Sequence, residues 1–231
     1  MKKIEISRTR VEIATEEIKL ILSPTTGFLE SIISVPFNFD WIGKPSLPVQ
    51  IKIDKRDAFQ NITDIYFVEI YEEDSANILQ TIVGKDGRLN IKFTIFSDLP
   101  VIIIDSELLV TENLMTNIAY YPLQFELNNN IQTTKLELKT LIKKHHYASF
   151  ANQLALCFFH DVESSIDIVN SKRVVIIPKF TFSLENGRKI KLPFSYISSP
   201  PIKESYSIDC LHSKVVNKYQ SHLRRLKDKQ Y

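Results

Sequence analysis

The sequence predicts an all-β protein, a large antiparallel β-sandwich that ends in one amphipathic α-helix. Apolar and polar residues alternate with a period of two in many short runs, as in residues 89–95, and turn-forming residues separate the runs. From Asp209 onward, apolar residues recur every three or four positions instead, which is typical of an amphipathic helix. We therefore expect a β-sandwich domain over residues 1–200 and a basic helix within residues 201–231, packed on the sandwich or extending from it.

The composition indicates a folded globular chain without a membrane-spanning segment or a disulfide framework. Hydrophobic residues make up 44% of the 231 residues, charged residues make up 24%, and the formal net charge is only +2. A chain with this balance carries no strong field for nucleic acid. Apolar runs such as residues 101–104 are far shorter than a membrane span, and Cys157 and Cys210 stand alone. We expect a cytoplasmic protein, whose abundant isoleucine fits either an AT-rich genome or a thermophilic organism.

The predicted strands follow one another with short turns between them. They cover residues 9–14, 17–22, 28–35, 49–54, 65–71, 78–83, 89–95, 101–110, 119–127, 135–142, 149–159, 174–177, 180–184 and 189–196. Residues 36–48 are predicted as a loop, because prolines remove backbone donors there. The last two strands are predicted to form a hairpin through the Glu-Asn-Gly turn at residues 185–187.

This order of features resembles the galactose-mutarotase-like β-supersandwich. The resemblance rests first on a short strand at residues 11–13, a second strand at 18–24 that ends in proline, and a glycine turn that leads into a third strand at 27–32. It also rests on a long central strand at 100–109 and a closing pair of strands at 174–184 and 188–196. It spans residues 9–198 and includes no signature motif. Proteins with this fold include aldose epimerases, which use a His and a carboxylate across an open sheet, and accessory domains of glycoside hydrolases and polysaccharide lyases. Because this chain is shorter and lacks a recognisable epimerase motif, the resemblance implies the fold more than the activity.

A cluster of two histidines and a tyrosine is the first candidate for catalysis. His145 and His146 follow two lysines, and an imidazole can act as a general acid or base near neutral pH. On a strand the two side chains point to opposite faces, so they cannot both bind one metal ion. A polar strand end is the alternative interpretation. No metal-ligand spacing occurs around His160 either, and we expect no metal ion and no cofactor.

Two carboxylates on the long apolar strand are the second candidate for catalysis. Asp105 and Glu107 are two residues apart, so they share one face of the strand, and paired carboxylates can divide the roles of acid and base. The same alternation would also simply mark the solvent-facing side of a sandwich. Both interpretations stay open at the level of sequence.

Aromatic side chains supply the candidate ligand-binding residues. Trp41, Tyr121 and Tyr147 could stack on the apolar face of a sugar ring, and Trp41 lies in the proline-rich loop, where binding residues often occur. A tryptophan that caps the core is the alternative for Trp41.

The C-terminal helix supplies the candidate partner-binding residues. Lys218, Arg224 and Arg225 belong to a basic amphipathic helix, which could contact an acidic partner. Alternatively, the apolar face packs on the sandwich and the cations stay in water.

Motifs that are absent narrow the function further. The sequence contains no Walker phosphate loop, no dinucleotide-binding glycine motif, no nucleophile elbow and no zinc-protease motif. The sequence favours a non-catalytic binding or interaction protein. The alternative is a carbohydrate-binding or aldose-epimerase-like protein, so we expect the partner to be a carbohydrate or another protein.

Overall fold

The structure is a computed structural model that describes residues 3–72, 74–111, 116–132, 136–141, 144–150, 154–170, 172–178, 182–184, 188–199 and 208–228. The first strands are β1 (Lys3–Ile6), β2 (Val11–Ala14), β3 (Ile18–Leu22), β4 (Leu29–Ser34), β5 (Phe39–Asp40), β6 (Ile42–Lys44), β7 (Gln50–Ile53), β8 (Arg56–Asp57), β9 (Ile62–Glu72), β10 (Ser75–Gly84) and β11 (Gly87–Phe96). They are followed by β12 (Ile102–Val110), β13 (Thr116–Tyr121), β14 (Gln124–Leu127), β15 (Leu136–Leu141), β16 (His145–Phe150), β17 (Leu154–His160), β18 (Ser164–Val169), β19 (Arg173–Pro178), β20 (Phe182–Leu184), β21 (Lys189–Lys191), β22 (Ser195–Ser198) and the helix α1 (Ile208–Asp228).

The strands form four antiparallel sheets. The largest sheet has the order β15-β16-β17-β22-β12-β11-β10-β9, and β21 also pairs with β12. The other three sheets have the orders β1-β2-β3-β4-β5, β20-β13-β7-β8 and β18-β19-β14-β6. The predicted all-β sandwich with a C-terminal helix is confirmed.

The main hydrophobic core lies between the large sheet and the smaller sheets. Ile102, Ile104 and Leu108 on β12 point into this core, and they are almost fully buried. Residues Val101 and Ile103 point to the opposite face, where they belong to a second apolar cluster. The continuous apolar run of this strand is therefore explained by burial on both faces of the sheet.

The helix α1 packs on the outer face of the large sheet, which is the face away from the main core. Its apolar side chains Leu211, Val215 and Tyr219 recur every four residues and are buried. They form one cluster with the sheet residues Phe96, Leu99, Val101, Ile103, Phe159 and Tyr196. The amphipathic pattern thus has a partner within the same chain. Among the described elements, no helix is long and apolar enough to cross a membrane.

Several predicted boundaries were wrong. The closing strands do not form a hairpin, since β20 pairs with β13 and β21 pairs with β12 in another sheet. Residues 149–159 were predicted as one strand, but they contribute to two antiparallel strands, β16 and β17. The strand β18 was not predicted, and the predicted loop at 36–48 contains the short strands β5 and β6.

Candidate functional site

In the first candidate cluster, His146 is a buried core residue. It is 1% exposed, and its Nε2 lies 2.7 Å from the hydroxyl of Ser164, which is equally buried. This Ser–His pair resembles a nucleophile and its base, but it is enclosed in the sandwich and no substrate can reach it. The backbone of His145 pairs with Leu141 and Phe159, whereas its side chain lies outside the described part of the structure.

A second buried histidine is held in its neutral form. His160 Nδ1 lies 3.0 Å from the carbonyl of Val162, so it donates there, and Nε2 accepts the hydroxyl of Tyr120 at 2.5 Å. Burial lowers the pKa of His160 to about 4, and burial also raises the pKa of Tyr120 above its ordinary value. Both groups stay neutral at physiological pH, and the pair is a satisfied hydrogen-bonded element of the core.

The two candidate carboxylates lie on the outer face of the large sheet, where both are ion-paired. Asp105 is 13% exposed, and its Oδ2 lies 3.0 Å from Lys191 Nζ and accepts the hydroxyl of Tyr219 at 2.5 Å. Glu107 lies 2.7 Å from Lys189 Nζ. The helix α1 thus covers Asp105, and the neighbouring lysines neutralise both acids.

The candidate aromatic residues occupy three different environments. Trp41 is fully buried, and its indole donates to the hydroxyl of Ser34 at 3.0 Å. Tyr121 lines an open cavity of about 680 Å³, and Lys52 Nζ lies 5.5 Å from the centre of its ring. The backbone of Tyr147 belongs to β16, but its side chain lies outside the described residues.

Two of the three candidate cations on α1 hold the helix against the sheet. Lys218 Nζ lies 3.2 Å from Asp98 and 3.7 Å from Asp74, and Arg225 also pairs with Asp74. Burial opposes ionisation of Asp74, but the hydrogen bond and charge of Arg225 outweigh it and lower the pKa of this carboxyl. Arg224 is exposed on the helix.

An open cavity with a richer set of charged and amide side chains lies between β6, β14 and β19 on one side and residues 57–65 on the other. This charged cleft has a volume of about 610 Å³, within the usual range for small-molecule sites. Its polar lining includes Lys44, Gln50, Asp57, Gln124, Glu126 and Arg173, and its apolar lining includes Phe28, Leu47 and Phe59.

Strand pairing places three charges side by side in the charged cleft. Glu126 on β14 lies directly opposite Lys44 on β6 and opposite Arg173 on β19. Such cross-strand neighbours have Cβ atoms about 5 Å apart. Nevertheless, none of the three forms an ion pair with any residue of the described segments. Their polar atoms are therefore available to a ligand.

The most informative polar group of the charged cleft is the amide of Gln124. The residue is 5% exposed, and its side chain has no hydrogen-bond partner in the described structure. It shares a face of β14 with Glu126, opposite to the core residue Phe125. The amide lines the cleft, so it can both donate to a ligand and accept from it.

Backbone strain occurs at the wall of the same cleft. Phe59 has a φ of 60° and is 3% exposed. The left-handed region is unfavourable for a bulky residue, and such strain of about 1–3 kcal/mol persists where the surrounding structure requires it. Gly84 packs beside Phe59, because a Cβ at this glycine would lie 3.2 Å from its ring.

Sequence reasoning missed the charged cleft, because its residues form no local motif. Lys44, Gln124 and Arg173 lie far apart in the chain and come together only through the pairing of β6, β14 and β19. Asp57 reaches the cleft from β8, which belongs to another sheet. The one available signal was the alternation of Gln124 and Glu126 with apolar residues on β14.

Metal and thiol chemistry find no support in the described structure. No group of three or more His, Cys, Asp or Glu side chains in the described segments could hold a metal ion. Cys157 is buried, and burial raises the pKa of its thiol to about 12. This thiol is therefore not a nucleophile at physiological pH.

Comparison with known proteins finds a shared fold. No protein-family model and no curated protein matches the sequence. The structure is similar to a galactose mutarotase-like protein from Clostridium acetobutylicum, with a TM-score of 0.57 and 10% identity over 87% of this chain and 98% of that chain. It is also similar to the alpha-N-acetylgalactosaminidase NagBb from Bifidobacterium bifidum, with a TM-score of 0.61 and 10% identity over 90% of this chain and 39% of that chain.

A mutant of the heparan sulfate lyase HepC from Pedobacter heparinus gives a TM-score of 0.58 and 8% identity over 87% of this chain. The chain spans 36% of the length of that lyase. At such low identities the similarity concerns the fold. The chain has the galactose-mutarotase-like fold that its strand pattern predicted.

Proposed function

We propose that this chain is a non-catalytic carbohydrate-binding protein that holds a neutral sugar in the charged cleft. The observation that carries the proposal is the group of cleft side chains that have no ion pair or side-chain hydrogen bond within the described structure, namely Lys44, Glu126, Arg173 and above all the amide of Gln124. The structural neighbours support the ligand class, since they include carbohydrate-active enzymes and mutarotase-like proteins.

The charges that line the cleft favour a neutral polyol over an anionic ligand. Lys44 and Arg173 donate hydrogen bonds, whereas Asp57, Asp64 and Glu126 accept them. Hydroxyl groups both donate and accept, so a sugar ring can satisfy both sets, and Phe28 offers an apolar surface to its ring face. A phosphate or sulfate group would face three carboxylates and only two cations.

The environments of the other candidate residues argue against acid–base catalysis. His146 and His160 are buried and hydrogen-bonded in the core, and Asp105 and Glu107 are neutralised by lysines on the outer face. The charged cleft is lined by carboxylates but by no histidine. The described side chains therefore place no histidine–carboxylate pair in the charged cleft. His222 does lie 3.1 Å from Glu72, but it is 3% exposed on the buried face of α1, away from the cleft.

The proposal is tested by a thermal-shift screen with neutral mono- and oligosaccharides, sugar phosphates and uronic acids. A ligand at 100 times its dissociation constant adds about 2.7 kcal/mol of stability, which is readily measured. We expect a neutral sugar to raise the melting temperature of the wild-type protein. At the same concentration the sugar should stabilise Gln124→Leu by at most about 1.4 kcal/mol, since this variant keeps the side-chain volume but loses the amide and binds at least tenfold more weakly.

Arg173→Ala and Arg224→Ala form a matched pair of controls. Both arginines are exposed, but only Arg173 lines the cleft, so only Arg173→Ala should weaken binding. A sugar that stabilises all of the variants equally would refute the cleft as its site.

The epimerase alternative is tested on the same protein by polarimetry. Freshly dissolved single anomers of the bound sugar should equilibrate at the uncatalysed rate in the presence of the protein. Acceleration of that rate would contradict the non-catalytic assignment.

A further inference from the structure

We propose that Gln80 is a positioning residue for the charged cleft: from inside the core it fixes the turn at residues 23–28, which presents Phe28 to the ring of a bound sugar. Gln80 is not among the residues that line the cleft, so its effect on a ligand passes through the turn. The effect on sugar binding rests on the proposed function, whereas the hold on the turn does not.

Gln80 is a polar side chain in an apolar position. It is fully buried on β10, and the residues that share its face of the strand, Ile78 and Ile82, belong to the main core. The amide oxygen of Gln80 is buried and has no hydrogen-bond partner among the described residues. Because a buried acceptor without a partner destabilises the folded state, core packing alone does not explain a glutamine at this position.

The amide nitrogen of Gln80 is bound to the turn. Nε2 donates a hydrogen bond to the carbonyl oxygen of Gly27 at 2.7 Å. Gly27 has a φ of 68°, and a Cβ at this position would lie only 2.6 Å from Gln80 Nε2. Both the backbone conformation and the close approach of the amide therefore require glycine at residue 27. Gln80 thus ties the large sheet to the turn between β3 and β4.

The turn at residues 23–28 is closed by its own hydrogen bonds and forms part of the cleft wall. The backbone N–H of Gly27 donates to the carbonyl of Ser23 at 2.9 Å, and the N–H of Ser23 donates to the carbonyl of Phe28 at 2.8 Å. Thr25 and Thr26 are exposed and Phe28 is half-buried, and all three line the charged cleft. A shift of this turn would therefore move one wall of the cleft.

Gln80→Met separates the positioning of the turn from the packing of the core. Methionine is an unbranched side chain that adapts to apolar surroundings, but it donates no hydrogen bond. The substitution leaves the carbonyl of Gly27 without its donor, and it also removes the unpaired amide oxygen of Gln80. Because one unpaired acceptor replaces another, we expect a melting temperature close to that of wild type. Gln80→Leu is a second variant with the same expectation.

Amide hydrogen exchange followed by NMR tests the hold on the turn without any ligand. In Gln80→Met the amides of Ser23 and Gly27 should exchange about tenfold faster than in wild type, whereas those of β12 should exchange as before. The matched control is Asn77→Leu, because Asn77 is a 1% exposed amide on the same strand that donates to the carbonyl of Ile70 instead. This variant should lower the melting temperature without a selective gain of exchange in the turn.

Isothermal titration calorimetry with a neutral sugar tests the effect on the cleft. Gln80→Met should bind the sugar about tenfold more weakly than wild type, and Asn77→Leu should bind it like wild type. If Gln80 acts through the position of Phe28, the losses of affinity in Gln80→Met and Phe28→Ala are not additive. In the Phe28→Ala background, Gln80→Met should therefore have little further effect.

Three results would overturn the proposal: unchanged exchange of the turn in Gln80→Met, an affinity of this variant equal to that of wild type, or additive losses in the double variant. A wild-type protein that binds no sugar would refute the proposed function and, with it, the effect of Gln80 on binding. The exchange of Ser23 and Gly27 would still decide whether Gln80 holds the turn.

Discussion

Acidification is expected to destabilise the fold through His160, a residue that is neutral and buried. The pKa of His160 falls from its ordinary value of 6.5 to about 4 on folding. Because a tenfold change in the proton equilibrium corresponds to about 1.4 kcal/mol, the charged form is disfavoured in the folded state by about 3 kcal/mol. The contribution of neutral, buried His160 to the free energy of unfolding is fully present above pH 6.5. It is lost as the pH falls from 6.5 to 4, since the imidazole binds a proton in the unfolded chain over this range but not in the folded chain.

The low pKa of His160 follows from its burial and from its hydrogen bond with Tyr120. Burial is the largest cause, and the hydrogen bond to the carbonyl of Val162 opposes it only in part. A proton on Nε2 would also point at the hydroxyl of Tyr120, which now donates to that atom. Protonation therefore forces the hydroxyl to turn away inside the core.

The assay compares wild type with His160→Gln by chemical denaturation at several pH values between 4 and 7.5. The difference between the two unfolding free energies should fall by about 1.4 kcal/mol per pH unit below pH 6.5. Carboxylates titrate in both proteins, so they cancel in this difference. A difference that does not change with pH would refute the reasoning, and so would an NMR titration in which the imidazole of His160 protonates near pH 6.5.

Three further predictions concern stability. Tyr219→Phe should lower the free energy of unfolding by about 1–3 kcal/mol and loosen α1, because Asp105 loses the hydrogen bond that it accepts from the Tyr219 hydroxyl. Limited proteolysis should then cut the helix faster, and unchanged cleavage would contradict the prediction. Trp41→Ala should cost about 3–5 kcal/mol in chemical denaturation without changing sugar affinity, since Trp41 is fully buried. Gly87→Ala should cost several kcal/mol, because φ is 152° and a Cβ would lie 2.0 Å from the carbonyl oxygen of Leu109; a melting temperature equal to that of wild type would exclude this clash.

The local pattern of the sequence was sufficient for most strands, because side-chain alternation is a property of neighbouring residues. Residues 89–95 were predicted from strict alternation and lie within β11. Residues 180–184 and 189–196 also carry strand patterns, but their pairing with β13, β12 and β17 depends on partners far away in the chain. A turn sequence between two strands predicts a hairpin only when both strands belong to the same sheet.

The candidate site was harder to predict, because polarity in a sequence does not reveal whether a group has a partner. Asp105 and Glu107 were correctly expected to share a face, but the lysines that neutralise them come from β21. His146 resembles an exposed strand end in sequence, whereas β16 directs it into the core beside Ser164. Conversely, Gln124 looked unremarkable in the sequence and became informative only when its position in the charged cleft was known.

Isothermal titration calorimetry with the neutral sugar that stabilises the protein most tests directly whether the charged cleft binds sugar. We expect one binding site on the wild-type protein and at least tenfold weaker binding to Gln124→Leu, a loss of about 1.4 kcal/mol, with unchanged binding to Trp41→Phe. Equal affinity of wild type and Gln124→Leu, or a loss of binding in Trp41→Phe alone, would contradict the assignment of the charged cleft.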